Sequence, residues 1–244
     1  MLKIIEAIPH ALGADLSSVA DMRAIADEIL RDGTVYCFKR CLLSEPIDVL
    51  RQALFDHYRT VPAVKTDYDN PQLMNSNYHA VEQGVSTYQK TLHFYHAYLF
   101  NDMAKLPATL YPVRDVFHSL AVLHNALTGE KRGLMQEYAG GSFRPQIFQY
   151  PVGGGMFAAH VHALQPQKIG VILGFSKRGR DFQNGGSGFE LPNGAILDTG
   201  REHDIGDILL FRYDLKHWVT PCDIASSVDL NKSHGRWTAV LPIY

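Results

Sequence analysis

The sequence predicts an α+β protein whose core is mainly β: an antiparallel sandwich or jelly roll built by the second half, with helices of the first half buttressing one sheet. Three observations carry this. Only five of the 20 glycines precede residue 140, so the later chain turns far more often than the earlier one. From Ser142 onward, short apolar segments alternate with turn clusters, the pattern of an all-β fold. Before that point the apolar residues recur at helical spacing.

In chain order, Ser17–Arg31 places Val19, Met22, Ile25 and Ile29/Leu30 on one face, and Asp32-Gly33 stops the helix. Thr34–Cys41 alternates and opens β-branched, which gives a short strand. Glu45-Pro46 starts a helix near Ile47–Tyr58, with proline early in the first turn, where its missing N–H costs nothing. Tyr111–Leu127 reads as another helix, closed by Thr128-Gly129. Residues 61–103, rich in Tyr, His and Asn, have weak periodicity and read as loop with some short helix or strand. The strand-like pieces are Phe143–Tyr150, Phe157–Leu164, Lys168–Phe175, Gly188–Leu191, Ala195–Leu197, Asp207–Tyr213, His217–Pro221 and Trp237–Ile243. The organisation expected is one domain over 1–244, with a helix-rich part at 1–141 and the jelly-roll core at 142–244.

Composition narrows the function. At 244 residues, with 46% hydrophobic and 20% charged residues, the chain can bury one large core and is not disordered. A net charge of −2 argues against a nucleic-acid partner. Cys37, Cys41 and Cys222 are too few and scattered for a disulfide framework, so they read as buried thiols of a reducing compartment. The opening MLKIIEAIPHALGADL has an apolar run broken at Glu6, too short for a signal peptide, and no stretch approaches 18 apolar residues; a soluble, cytoplasmic protein without a membrane partner is the expectation. Gly153–Gly155 and Asn184–Gly188 are turns without the spacing of a phosphate-binding loop.

His160-Val-His162 is the feature that carries chemistry. On a strand, residues two apart share a face, so both imidazoles project into one space. A lone inward histidine is ordinarily a satisfied core residue; two together are costly to bury without a partner, and a divalent metal satisfies both. No Asp or Glu follows in the same segment, so a third ligand comes from His203, His217 or His234. His203 lies in a charged loop after Arg201-Glu202 and His234 in the polar stretch Asn231-Lys-Ser-His, and both read as exposed. His217 follows an apolar strand and re-enters at His-Trp-Val, which makes it the choice.

Two jelly-roll families pair histidines in this way. Gly154, His160-x-His162, Gln167 and Gly174 follow the spacing of the first cupin motif, but Gln167 stands at that motif's glutamate ligand. The second cupin motif, which places a glycine two residues before its histidine, is missing, since ten residues separate Gly206 from His217. A longer series fits better: Phe148-Gln-Tyr-Pro-Val-Gly-Gly-Gly, His160-x-His162, Val171-Ile-Leu-Gly-Phe, Gly185-Gly-Ser-Gly-Phe-Glu-Leu, Gly206-Asp-Ile-Leu-Leu-Phe, His217-Trp-Val-Thr-Pro and Gly235-Arg-Trp-Thr. Across about 142–243 it resembles the iron(II)/2-oxoglutarate-dependent oxygenases, especially their prolyl-4-hydroxylase-like branch. The resemblance implies a double-stranded β-helix of cupin-like shape, Fe(2+) as metal, 2-oxoglutarate as cosubstrate, molecular oxygen as oxidant and a small organic molecule as substrate. It implies His160 and His217 as metal ligands, with Arg236 and Thr238, two apart on a strand, gripping the 2-oxoglutarate tail. Arginine suits that role because it is permanently charged and bidentate. Tyr150 or Gln149 is a further candidate for contact with the oxoacid.

The departure lies at His162, where the family carries Asp or Glu. A neutral ligand leaves the metal site one charge more positive, and it fills the place that halogenating relatives open for halide. Three arrangements are compatible with it: three-histidine iron with activity, His162 off the metal, or an altered inactive site. The long stretch between His217 and Arg236 reads as a loop over the site mouth. Lys177-Arg-Gly-Arg180 reads as a solvated basic turn or an attractor of acidic substrate. Glu190 is an acid the family tends to share, and Tyr78, His79, Tyr88, His93, Tyr95 and His96 form a polar-aromatic group that packs or lines a substrate pocket. The competing functions are a cupin-like three-histidine dioxygenase without 2-oxoglutarate and a non-catalytic jelly-roll binding module.

Overall fold

A computed structural model describes residues 1–65, 71–85, 91–134 and 141–244. The strands are β1 (Leu2–Glu6), β2 (Val35–Lys39), β3 (Asn77–Val85), β4 (Leu92–Phe100), β5 (Gln146–Pro151), β6 (Gly155–His160), β7 (Ile169–Gly174), β8 (Ser187–Glu190), β9 (Ile196–Asp198), β10 (Ile208–Arg212), β11 (His217–Cys222) and β12 (Gly235–Val240). The helices are α1 (Met22–Asp32), α2 (Ser44–Tyr58), the short turn α3 (Pro71–Met74) and α4 (Pro112–Thr128). Every expected helix and strand is present.

Hydrogen bonding links the strands in the order β1-β2-β10-β7-β12-β5-β4-β6-β11-β8-β9, with β3 paired to β4. All pairs are antiparallel except β1–β2. The ribbon folds back on itself into a jelly roll. Phe189 of β8 packs on Val35, Cys37, Leu209 and Phe211 of β2 and β10, with the Phe189 and Phe211 rings 5.0 Å apart. Farther along, Cys222 packs with Tyr95 and Tyr150, and Phe157 and Val219 lie against them. Outside this barrel the helices cover one wall: Ile25 and Ile29 of α1, Leu54 of α2 and Phe117 and Leu120 of α4 share a core with Tyr98, Ile147 and Trp237.

Local chemistry fixes the helix ends. Asp21 caps α1 by accepting from the Ala24 N–H. Gly33 and Gly129 end α1 and α4 in the left-handed conformation (φ 65° and 71°), where a side chain would be strained. Cys37, Cys41 and Cys222 are buried free thiols, as expected. Among the described residues no helix is long and apolar enough to cross a membrane.

The first half differs from the helix-rich expectation, because residues 1–141 also supply β1 to β4. The stretch at 61–103 contains a long hairpin, its nine-residue strands in register from Asn77↔Phe100 to Val85↔Leu92. The boundary at 142 therefore does not divide the sheet: β4 pairs with both β5 and β6.

One buried histidine gives a stability prediction. His124 of α4 is fully buried and its Nε2–H donates to the Gln167 carbonyl; burial pushes its pKa down to about 4. The unfolded chain takes up that proton near pH 6.5, whereas the folded chain resists until about pH 4, so stability is present above pH 6.5 and is lost as pH falls toward 4. The loss from this group is about 3 kcal/mol. Urea unfolding at pH 7 and pH 4.5 should show a smaller pH difference in His124→Gln than in the parent chain. An equal difference would show that this imidazole is not the source.

Candidate metal centre

The irregular end of β6 aims the first histidine. β11 pairs with β6 at Val219↔Phe157 and again at His217↔His160, two residues on one strand against three on the other. That bulge turns His160 onto the same face as Phe157, whose ring lies 4.4 Å from the His160 ring. His217 opens β11 directly opposite. His162 lies two residues past the end of β6, not within it, so strand alternation does not place it as the sequence suggested. Its ring instead stacks on Tyr213 (4.5 Å, 9° between planes) and meets His160 edge-on at 4.8 Å.

The three imidazoles converge. Ring centroids are 4.3 Å apart for His160 and His217 and 5.3 Å for His162 and His217, and one ligand atom from each lies within 4.8 Å of the others. Two rings are fixed in tautomer. His160 Nδ1–H donates to the Ala158 carbonyl (3.0 Å) and His217 Nδ1–H to the Leu215 carbonyl (2.8 Å), so both Nε2 atoms keep a free lone pair. Burial lowers all three pKa values, His162 to about 4 and His217 to about 3, and for these two the neighbouring imidazoles add to the effect. The donor set is neutral and free to bind near pH 7, as a divalent cation requires. Gln167, at the cupin glutamate position, is elsewhere: its side-chain amide donates to the carbonyls of Ile169 and Leu241.

A second group lies on β12. Arg236 and Thr238 face the barrel interior with Tyr150, opposite Arg236 in register, while Trp237 between them enters the helix-side core. Arg236 is 3% exposed, and its guanidinium carbon lies 5.8 Å from the Tyr150 ring centre. Burial lowers the Arg236 pKa and raises that of Tyr150 to about 12. The guanidinium has no ion-pair partner among the described residues. One Nη2–H donates to Ser187 Oγ (2.8 Å), and Nη1 is buried without a hydrogen-bond partner. An orphaned cationic donor of this kind is costly unless an anionic ligand completes it. Ser187 is opposite Val219, and Phe189, two residues along β8, is opposite His217, so about 7 Å of strand separates the arginine's anchor from the histidine cluster.

Other expected features fall elsewhere. Gln149 is fully buried on the helix side of β5, opposite Trp237, and donates to the carbonyls of Lys232 and His234, which leaves Tyr150 as the barrel-interior residue of that pair. His203 is buried, 5% exposed, and lies 3.4 Å from Arg236 Nη2; the exposed reading is corrected by a loop that tucks it under β8. His234 is exposed as expected. The stretch after β11 leaves from Cys222, the strand end opposite His217. It packs on the β5–β6 turn through Val228 and on α2 through Ser233, rather than across the imidazoles. The basic turn is internally neutralised: Lys177 pairs with Asp204 and Arg180 with Asp48 and Asp181, while Arg178 donates to backbone carbonyls. Glu190 pairs with Lys216 at the surface. The polar-aromatic group divides between two faces. Tyr78 and Tyr95 join the barrel interior, and His93 stacks there on Phe157, whereas His79 and His96 stack with Tyr98 on the helix side. Tyr88 lies outside the described residues.

No protein-family model and no curated protein matches the chain. Solved structures do match, across most of its length. A prolyl-4-hydroxylase from Pseudomonas putida superposes with a TM-score of 0.57 at 12% identity, over 91% of this chain and 98% of that one. EctD from S. alaskensis with bound Fe gives 0.53 at 14% identity, over 89% and 74%. The non-heme alpha-ketoglutarate-dependent epimerase SnoN from nogalamycin biosynthesis gives 0.54 at 10% identity, over 90% and 79%. The chain therefore has the fold of these proteins.

Proposed function

We propose that this chain, acting as one unit over residues 1–244, is an iron(II)- and 2-oxoglutarate-dependent oxygenase of a small organic molecule, with His160, His162 and His217 as the metal ligands. One observation carries the reading: three neutral imidazoles converge in the barrel that also holds Arg236, a buried cation with an unused donor and, among the described residues, no acid partner. The residues fit the group they would hold. His160 and His217 present fixed Nε2 lone pairs, and His162 adds a third without adding charge. Arg236 would take the distal carboxylate of 2-oxoglutarate, with Thr238 and Tyr150 beside it, at a distance of the order of a five-carbon diacid's length. The solved structure of EctD with 2-oxoglutarate and 5-hydroxyectoine shares this fold and supports the cosubstrate.

When bound, iron(II) and 2-oxoglutarate together supply the oxidising chemistry, in which oxygen is reduced as the oxoacid loses carbon dioxide and becomes succinate. The chain's own residues do the rest. Arg236 supplies the charge that neutralises the dicarboxylate tail in a dry pocket, where an ion pair is stronger than in water. Phe157, stacked on Tyr95 (5.7 Å) and His93 (5.7 Å), walls one side of the cluster. On the same wall the Glu82 carboxylate accepts from Tyr95 Oη–H (2.9 Å) and faces His93 Nε2 (3.0 Å), a polar group suited to hold a substrate hydroxyl or amine.

Anaerobic addition of 2-oxoglutarate to the iron(II) protein tests the reading. A visible charge-transfer band is expected, weakened in Arg236→Ala, together with succinate release on admitting oxygen. Iron retention with no band would favour a three-histidine dioxygenase without the oxoacid, and no iron retention would favour a binding module.

A further inference from the structure

Among the described residues Arg236 is held by neutral groups alone, and one of them has no role in the proposal above. The loop after β9 is tied beneath β8: Thr199 donates to the Ser187 carbonyl through both its N–H and its Oγ1–H (2.9 Å each), and the His203 N–H donates to Thr199 (2.9 Å). The His203 ring is then oriented by a second contact, because Nε2 lies 3.1 Å from the Asp207 carbonyl, which can only accept. Nε2 therefore carries the hydrogen, and the Nδ1 lone pair faces Arg236 Nη2 at 3.4 Å. Room for this arrangement depends on Gly174. A Cβ at Gly174 would lie 2.1 Å from the Asp204 carbonyl oxygen and 3.3 Å from His203 Nε2.

We propose that His203 is a positioning residue for Arg236: a neutral acceptor that, with Ser187, fixes the guanidinium without neutralising it, so that its full charge and its unpaired Nη1 remain for a dicarboxylate ligand. A carboxylate would be the commoner partner for a buried arginine, but it would cancel the charge that binds the ligand. The charged and titratable groups around the imidazole are Arg236, Lys39, Asp204 and Asp207. Lys39 is already paired with Asp207, and Asp204 with Lys177. Arg236 and burial disfavour a proton on the ring, so it acts as an acceptor throughout the neutral range.

The inference rests on Arg236 anchoring 2-oxoglutarate, and the test separates the two claims. Calorimetric titration of the anaerobic iron(II) protein with 2-oxoglutarate is run on the parent chain, His203→Leu, His203→Asn and His203→Asp. Asparagine places its oxygen where Nδ1 was but cannot reach the Asp207 carbonyl. It should stay within about threefold of the parent Kd, while leucine weakens binding about tenfold. Aspartate, which supplies the counter-charge, should weaken it about 100-fold. Leucine binding like the parent, asparagine falling as far as leucine, or aspartate binding as well as asparagine would each overturn the proposal. The middle result would reduce His203 to a packing residue. Should the variants fail to fold, nitrogen NMR of the parent chain decides. An Nε2–H tautomer whose Nδ1 signal moves on adding 2-oxoglutarate is expected, and an Nδ1–H tautomer contradicts the role. A parent chain that does not bind 2-oxoglutarate removes the reading of Arg236, and this inference with it.

Discussion

His217→Ala is expected to weaken iron(II) binding by at least about 100-fold and to abolish turnover, with the fold retained. Losing a group that merely orients a metal ligand already costs 10- to 100-fold in affinity in comparable sites, so losing a ligand sets that range as a floor. His217 is the ligand whose loss has no substitute. Its Nδ1–H is tied to the Leu215 carbonyl, its ring lies against Phe211 at 4.9 Å, and it is the partner that β11 brings opposite His160. No carboxylate joins the three-imidazole group among the described residues, so no anionic ligand stands ready to replace it. Iron per chain after gel filtration, measured beside far-UV circular dichroism, checks this. His234→Ala is the control, since that residue is exposed and should change nothing. An alanine variant that keeps one iron per chain would remove His217 from the centre.

Arg236→Ala is expected to separate the two halves of the site. Metal retention should remain within about twofold of the parent chain, because the arginine makes no hydrogen bond to His160, His162 or His217, while 2-oxoglutarate affinity falls by about 100-fold or more. Hydrogen bonds to a charged group contribute about 1.5 to 3 kcal/mol each, and a bidentate carboxylate contact makes two of them. Arg236→Lys should recover only part of the loss, since an ammonium is a point charge without the planar fork and would not reach Ser187 in the same geometry. The contrast is readable in one experiment, by titrating 2-oxoglutarate into anaerobic iron(II) protein for each variant. Unchanged affinity in the alanine variant would show that the orphaned guanidinium serves the fold alone.

The jelly roll was legible because its strands announce themselves twice, through apolar segments of three to eight residues and through the glycines between them. β8 and β9, four and three residues long, were recovered on that basis alone. The β3–β4 hairpin was not, and the reason is physical. Strand alternation is visible when one face is apolar and the other polar, but here both faces carry buried polar aromatics, with Tyr78 and Tyr95 toward the barrel and His79, His96 and Tyr98 toward the helices. The period is erased although the strand is real. β1 escaped for a different reason: it is a five-residue edge strand with Ile4 half exposed, too short and too wet to show a pattern.

The site divides in the same way. His217 emerged because an apolar strand re-enters there, and Arg236 and Thr238 because residues two apart share a face; both arguments depend only on local periodicity. His162 lies with the other two imidazoles for a reason other than strand alternation, because β6 ends at His160 and a bulge between Phe157 and His160 sets the direction of that ring, neither of which leaves a mark in the sequence. His203 was hidden by its neighbours. Arg201 and Glu202 make the loop look solvated, yet Lys39 reaches in from β2 to pair with Asp207 and to donate to the Glu202 carbonyl, and the loop closes over the imidazole. Burial of that kind is set by tertiary ion pairing, which no window along the chain reports.

The central claim is that three imidazoles hold one metal while Arg236 holds the far end of a keto-diacid in the same barrel. A crystal structure of the anaerobic iron(II) protein soaked with 2-oxoglutarate tests it in one step. The account predicts a single metal bonded to Nε2 of His160 and His217 and to a ring nitrogen of His162, with the distal carboxylate on the Arg236 guanidinium. A metal bound away from these histidines, or a diacid that leaves Arg236 unpaired, would contradict it.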